Sequence, residues 1–556
     1  MSKKELIHFV PQSIFMPVSK KDLRIKEKKG WELLVDKKIG KIIKIGSPKE
    51  VANFLQNFNQ PASIIKEVGG VLFPGFIDAH NHLIHGVLPA MGAVSVAAAK
   101  NKKELLQLIR QNLNWEQDAP QLFLGHDEVN LPDIEKKDLD EVAPDRPICL
   151  VDIGYHSTFV NTIMLDLVKE KIAKEAKYNY RVTGKINEDI GHLTEGHAML
   201  ALQTAELAGD VEDIAYGMIE QLERWMRQGI TGMFELHSFS LMEIKALFMA
   251  RRIWQKEKNT TFPVLRVFTS PVTLKKFFER KKQMRAYGFN PRKDWDMLGL
   301  KMFADGTFEI HTAMLLQPYT DQNSQGEEFH NLQELKEGLE LAAKNEIIQV
   351  AVHAIGDAGA ERAAVVAGMW QKIARQYKLP SNKFRIEHFQ LPLTVLGKVK
   401  KMNVWINCEP NFETDFARRD VLGSRVEKLC PHSEILAKKI PLNFGSDGMP
   451  ASPLYGIWCA THHPVTKFSI TLEQAVAAYS LMGAEYINNK DLGRLVEGAS
   501  ADLVVLKPQV VEYLRSGKPN LEEYEKLENE NEFLVNKIRI LEAGISKVFY
   551  QGKRVR

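Results

Sequence analysis

The sequence has little cysteine. Four occur in 556 residues, at Cys149, Cys408, Cys430 and Cys459, and none is in a C-x-x-C spacing. This disfavours a disulfide framework and a thiolate zinc site, so a reduced, cytoplasmic setting is the expectation. No apolar run reaches the roughly 18 residues of a membrane-crossing helix. The opening MSKKELIHFVPQSIFMPVSKK carries basic residues, but His8, Pro11 and Gln12 interrupt it and no A-x-A-like end follows. It reads poorly as a signal peptide. An excess of one charge is also missing: 74 Lys and Arg face 70 Asp and Glu, a net +4. Nothing here predicts a nucleic-acid or membrane partner. What is present, 44% hydrophobic and 26% charged residues, is ordinary for a globular protein.

Length suggests several domains at about 150 residues each, although a barrel with insertions absorbs over ~400. Residues 1–70 read as strands and turns, with WELLV at 31–35 and KIIKIG at 41–46. The far end, 490–556, has the same texture in ADLVVL and SKVFY. Two β-rich ends suggest one small sandwich built from both termini, because the first strands alone make a marginal sheet.

Between them, 71–489 alternates apolar runs with helical segments, the pattern of an α/β fold with a parallel sheet or barrel. Strands are expected at 71–79, 232–236, 264–269, 300–304, 349–354, 384–388, 404–407 and 442–446. This is the complement of a (β/α)8 TIM barrel. Residues 87–212 are too many for one barrel connection and read as an inserted subdomain after strand 1, a candidate lid. Within the last segment, residues 521–544 place Tyr524, Leu527, Asn531, Leu534, Ile538 and Leu541 at heptad spacing. Fewer than three heptads are present, so the expectation is an amphipathic helix on the sandwich, with a homodimer contact as the alternative.

Histidine is scarce, 16 in all, yet GFIDAHNHLIHG crowds three into residues 75–86. His80 and His82 are two apart on an extended chain, so both side chains point one way and Asn81 the other. Lys301 in GLKMFADGT, His353 ending VAVHAIGD, His388 ending RIEHFQ and Asp447 ending NFGSDG also lie at or near carboxyl ends of expected strands. Barrel sites are built there. Imidazole and carboxylate suit a divalent ion such as zinc, manganese, nickel or iron, with zinc as the expectation. Lys301 is the odd member, since an ammonium repels a cation. Each residue also has a structural alternative: Asp447 a turn or cap, Lys301 an ion pair, His85 an exposed or hydrogen-bonded ring, and His237 a core ring alternating with Glu235.

These ordered motifs resemble the amidohydrolase superfamily, and within it the YtcJ-like branch, amidohydrolase family 3, which includes N-substituted formamide deformylases. PGFIDAHNH, GITGMFELH, LKMFADGT, HAIGDAGAERA, RIEHFQ and FGSDGMPASP resemble the family's strand-end motifs, and LGRLVEGASADLVVL is similar to its return into the sandwich. The resemblance implies one or two metals per chain. It places His80 and His82 on one, His353 and His388 on the second, and Lys301 as a carboxylated (N6-carboxylysine) bridge. Asp447 is implied as ligand and catalytic proton acceptor. The implied reaction is hydrolysis of a C–N bond in a small-molecule amide by a metal-activated hydroxide. A mononuclear deaminase, a cyclic-amide hydrolase or a non-catalytic binding protein on the same fold is the alternative.

In the insertion, YHSTFVNTIML resembles a family segment in which His156 and Asn161 recur near the substrate, and GHLTEGHAM gathers His192, Glu195 and His197. His156, His237 and His311 are the expected substrate contacts. The run Thr307-Phe308-Glu309-Ile310-His311 departs from the family's Ser, Leu, Gly and Arg pattern after ADG, so the substrates of characterised relatives do not carry over.

Overall fold

The computed structural model describes residues 4–18, 23–58, 61–114, 119–128, 131, 133–176, 182–206, 210–238, 240–290, 293–380, 383–392, 394–517, 521–529 and 531–556. Its centre is a parallel sheet of eight strands: β1 (Phe76–Asn81), β2 (Ile230–Ser238), β3 (Val264–Thr269), β4 (Leu298–Phe303), β5 (Gln349–Ala354), β6 (Lys383–His388), β7 (Val404–Cys408) and β8 (Leu442–Phe444). Neighbours in space follow chain order, each pair in parallel. The strands read as near-continuous apolar runs because helices cover one face and the interior fills the other. Ile77, Ala79, Phe234, Leu236, Phe268 and Ala351 pack together, while helices such as Leu241–Lys258 and Asp357–Gln376 seal the outside.

The sheet is brought almost to closure where the chain leaves β8. The amides of Ser446 and Asp447 donate to the His80 carbonyl at 3.1 and 2.8 Å. Gly445 makes this approach feasible, since a Cβ there would overlap the backbone and Cβ of His80. Gly445→Ala is expected to destabilise the barrel by about 1–3 kcal/mol and to weaken metal retention through His80. Urea unfolding and metal analysis of the variant check both effects.

The expected first strand, 71–79, is two strands. Val71–Pro74 lies between Ser13–Pro17 and Leu503–Leu506 in an outer six-stranded sheet, and only Phe76–Asn81 enters the barrel. The break falls at Gly75, where a side chain would collide with Thr231. A periodicity reading joins the two because both halves are fully buried. A four-stranded sheet of Lys41–Gly46, Glu32–Asp36, Lys4–Val10 and Ala62–Val68 shares an apolar core with the six-stranded one, drawing on Phe9, Ile14, Leu33, Leu72, Leu503 and Phe549.

Between β1 and β2 the chain builds a further six-stranded sheet, in which Gln121–His126, Ile148–Asp152 and Ser157–Val160 are central. Strand alternation divides its side chains: Leu122, Leu124, Cys149 and Val151 fill one core, and Phe123, Ile148 and Leu150 the other.

The segment 521–544 departs from expectation. It forms two helices, Leu521–Asn529 and Asn531–Glu542, and they pack on the barrel instead of the sandwich. Tyr524 stacks on Trp458 at 5.4 Å and its hydroxyl reaches Glu413 at 3.2 Å. Lys537 of the second helix pairs with Glu523 of the first at 2.5 Å, too close for residues so far apart along a single helix, so the heptad spacing does not run along one axis. The side chain of Asn531 lies outside the described residues. Among the described residues, no helix is long and apolar enough to cross a membrane.

Candidate metal centre

β1, β6, β7 and β8 deliver the donor groups to one end of the barrel. His80 and His82 both reach Asp447 Oδ1, through Nε2 at 3.4 and 2.8 Å, as the period-two reading requires. Asn81 points away, donating to Asp78 at 2.7 Å and to Ser446 at 3.2 Å. Asp78 also accepts from the Ser446 hydroxyl at 2.5 Å and from the amides of Ser446 and His80, so one carboxylate locks β1 to the loop after β8. Burial lifts Asp78 to about 6 despite these bonds.

His388 reaches the cluster through its backbone. Its φ is +65°, and that of Asp447 is +58°, conformations uncommon for residues with a Cβ and concentrated at functional sites. The His388 ring lies 4.8 Å from that of His80 and 4.3 Å from that of His353. His353 Nε2 sits 3.1 Å from the Gly306 carbonyl, a second contact of the kind that orients a ligand histidine. Lys301 and His353 line the same cavity as His80, His82, His388 and Asp447.

Glu409, at the end of β7, was missing from the sequence expectation. His80, His388 and Glu409 form one group of converging donor atoms, and His80, His82 and Asp447 a second, each within 4.8 Å. The rule that located the other residues at strand ends applies equally to β7, which that expectation had left without a functional residue. Behind the donors, Glu387 accepts both a paired bond from Arg385, at 2.7 and 2.6 Å, and a contact from His80 Nδ1 at 2.9 Å. Asp305 braces the loops after β4 and β5 by accepting the amides of Met314, Ile355 and Gly356.

The electrostatics fit a cation. Burial pushes Lys301 down from the usual lysine range, and it holds His388 near 3 and His353 well below the usual imidazole range, so the two imidazoles are neutral. Burial opposes ionisation of Asp447, but His80, His82 and His388 hold it well below the usual carboxylate range. Asp447 in turn lifts His82 to about 9 against its burial. Burial raises Glu409 to about 7. His388 Nδ1 and Glu409 Oε2 are 2.9 Å apart without the alignment of a hydrogen bond, and buried His80 Nε2 also makes none. Buried polar atoms are seldom left so, and atoms aimed at a shared ion account for it.

The cavity is walled by barrel loops and by the insertion, which contributes Tyr155, His156, Glu195 and Met199. His156 and His237 line it. Burial pushes His237 well below the usual imidazole range; burial has the same sense for His156, but Glu195 reverses it. His311 does not belong to this lining. Its Nε2 pairs with Asp321 at 2.7 Å and its ring meets Tyr319, because a φ of +57° turns it aside. Asn161 is also displaced from the expected role: it caps the helix Thr162–Glu175 and bonds the backbone of Ala143, Arg146 and Ile148.

The sequence pattern of the Amidohydrolase family matches residues 68–555. The putative amidohydrolase YtcJ of Bacillus subtilis (strain 168) is 26% identical over 471 residues, covering 79% of this chain and 84% of that protein. Protein LONG AFTER FAR-RED 3 of Arabidopsis thaliana is 24% identical over 531 residues, covering 84% and 82%. Among solved structures, an uncharacterized metal-dependent hydrolase from Pyrococcus furiosus superposes with a TM-score of 0.66 at 23% identity, over 90% of this chain and 99% of that one. That likeness carries the fold, while the match over residues 68–555 carries the kinship: the chain belongs to the amidohydrolase family, family 3.

Proposed function

We propose that the protein hydrolyses the C–N bond of a small-molecule amide, with N-acyl and N-formyl amines as the substrate class. The observation that carries this is the pair of donor groups sharing His80: His80, His82 and Asp447 on one side, His80, His388 and Glu409 on the other. Two overlapping groups suit one or two divalent ions, zinc foremost, with His353 and a carboxylated Lys301 completing the set. A divalent ion bound there lowers the pKa of its water toward ~7 and polarises the substrate carbonyl.

The chain's own residues do the rest. Asp447, ionised and half-buried, accepts the proton of the attacking water. Glu387 and Asp78 hold the β1 histidines in place, His237 and His156 contact the substrate, and the insertion covers the cavity and limits water. The two outer sheets read as one sandwich domain, assembled from both ends around the barrel.

Elemental analysis of wild type and Lys301→Ala, purified with bicarbonate, tests the centre. About two ions per chain, falling to one or none in the variant, is the expected result. One ion in both moves the assignment to a mononuclear hydrolase or deaminase. No ion in either ends the hydrolase reading, and a panel of N-acyl and N-formyl amines then serves only to confirm inactivity.

A further inference from the structure

A second carboxylate–histidine pair faces the metal centre from the insertion. His156 Nδ1 lies 2.7 Å from Glu195 Oε2. The other oxygen, Glu195 Oε1, accepts the Thr312 hydroxyl at 2.5 Å, and the Thr312 oxygen itself accepts the Thr307 amide at 3.0 Å. The Thr312 proton is therefore committed to Glu195, which acts as an acceptor through both oxygens. Glu195 is 3% exposed, and its amide donates to the His156 carbonyl at 2.7 Å. Two chain segments thus fix one imidazole: the insertion supplies His156 and Glu195, and the loop after β4 supplies Thr312.

This arrangement is built at some conformational cost. Tyr155, next to His156, and Glu195 itself have φ of +61° and +56°. Gly306 is required beneath it, because a Cβ there would overlap Thr312 Oγ1 and crowd Glu195 Oε1. With Nδ1 taken by Glu195, Nε2 is the nitrogen of His156 left for an occupant of the cavity that it lines. The His156 ring lies 6.3 Å from that of His353, and both line the cavity with the other donor groups, so an amide held at the centre lies within reach of this imidazole.

We propose that His156 is a catalytic acid, delivered by the insertion, that protonates the leaving nitrogen, and that Glu195 is its positioning residue. As the C–N bond breaks, its electron pair passes to nitrogen, which takes the proton from Nε2. The imidazole is left neutral and regains a proton from solvent. Asp447 keeps the proton of the attacking water until the product acid leaves. Amide and water enter, and acid and amine leave. The orientation of an imidazole by a buried carboxylate is the logic of a catalytic triad, here without the nucleophile.

The proposal rests on the amide-hydrolase reading, and the test separates the two. N-acetylbenzylamine has a leaving amine that needs a proton, whereas the leaving oxyanion of 4-nitrophenyl acetate needs none. With the full-length, metal-loaded protein, His156→Ala is expected to lower kcat on the amide about 10³-fold, with little change in KM. It is expected to leave the ester within a few-fold, with metal content unchanged and added imidazole restoring part of the amide rate. Glu195→Gln is expected to show the same split at about tenfold and to add nothing in the double variant. Equal losses on amide and ester, a loss confined to KM, or a loss of metal overturns the role of His156, whatever the wild-type activity. If wild type cleaves no amide in the panel, the hydrolase reading falls and takes this proposal with it.

Discussion

Asp447→Asn is expected to slow amide hydrolysis by about 10³-fold, the scale of a removed general base, while leaving the protein folded. Asparagine is nearly isosteric and is among the residues that tolerate the left-handed backbone, and Asp447 has a φ of +58°. The change therefore removes charge without removing shape. The carboxylate is held ionised by His80, His82 and His388 against its burial, so at neutral pH the wild-type group carries its charge and has its lone pairs free of a proton. The amide that replaces it cannot accept one. The proton on His82 also loses its support, since Asp447 is what raises that ring against its burial. Steady-state kinetics alongside a thermal melt separate the effects: unchanged melting with a collapsed kcat is the expected pair, and activity within tenfold of wild type would remove Asp447 from the proton path.

Why so much of this centre is visible in the sequence follows from the barrel. Parallel strands end together, so His80, His82, Lys301, His353, His388 and Asp447 need only be read as strand ends to be gathered. What stayed hidden depends on geometry that no spacing encodes. Glu387 looks like an ordinary strand residue until Arg385 and His80 are seen to converge on it. Asp305 and Asp78 are braces whose partners lie in distant loops. His311 was expected at the cavity because it follows the β4 motif closely, yet one left-handed residue turned it toward Asp321. The break at Gly75 was hidden because burial on both faces erases the alternation that marks strand boundaries. In the insertion, LFLGH at 122–126 and ICLVD at 148–152 read as strands from their apolar runs, two of the six in its sheet. Its short strands such as Ile186–Asn187 have too few residues to show a period.

The second large effect is expected inside the barrel. Arg385 is fully buried, with its guanidinium on Glu387, a further bond to the Ala79 carbonyl at 2.8 Å, and the rings of Phe234, Phe268 and Tyr486 at 5.3, 5.7 and 5.0 Å. Burial alone would raise the Glu387 carboxyl; Arg385 is the main reason that it sits far below its usual range instead. Arg385→Met leaves that carboxylate buried without its counter-charge and is expected to cost about 3–5 kcal/mol. Arg385→Met with Glu387→Gln is expected to recover most of the loss, because the cost lies in the orphaned charge more than in the absent pair. Metal affinity is expected to behave differently. Glu387 orients His80 through Nδ1, so the double variant is expected to bind metal about 10- to 100-fold more weakly even where its stability returns. Thermal unfolding followed beside metal titration reads the two quantities separately. Parallel recovery of both would show that Glu387 serves the fold alone; recovery of stability without recovery of affinity places the buried pair in service of the metal centre.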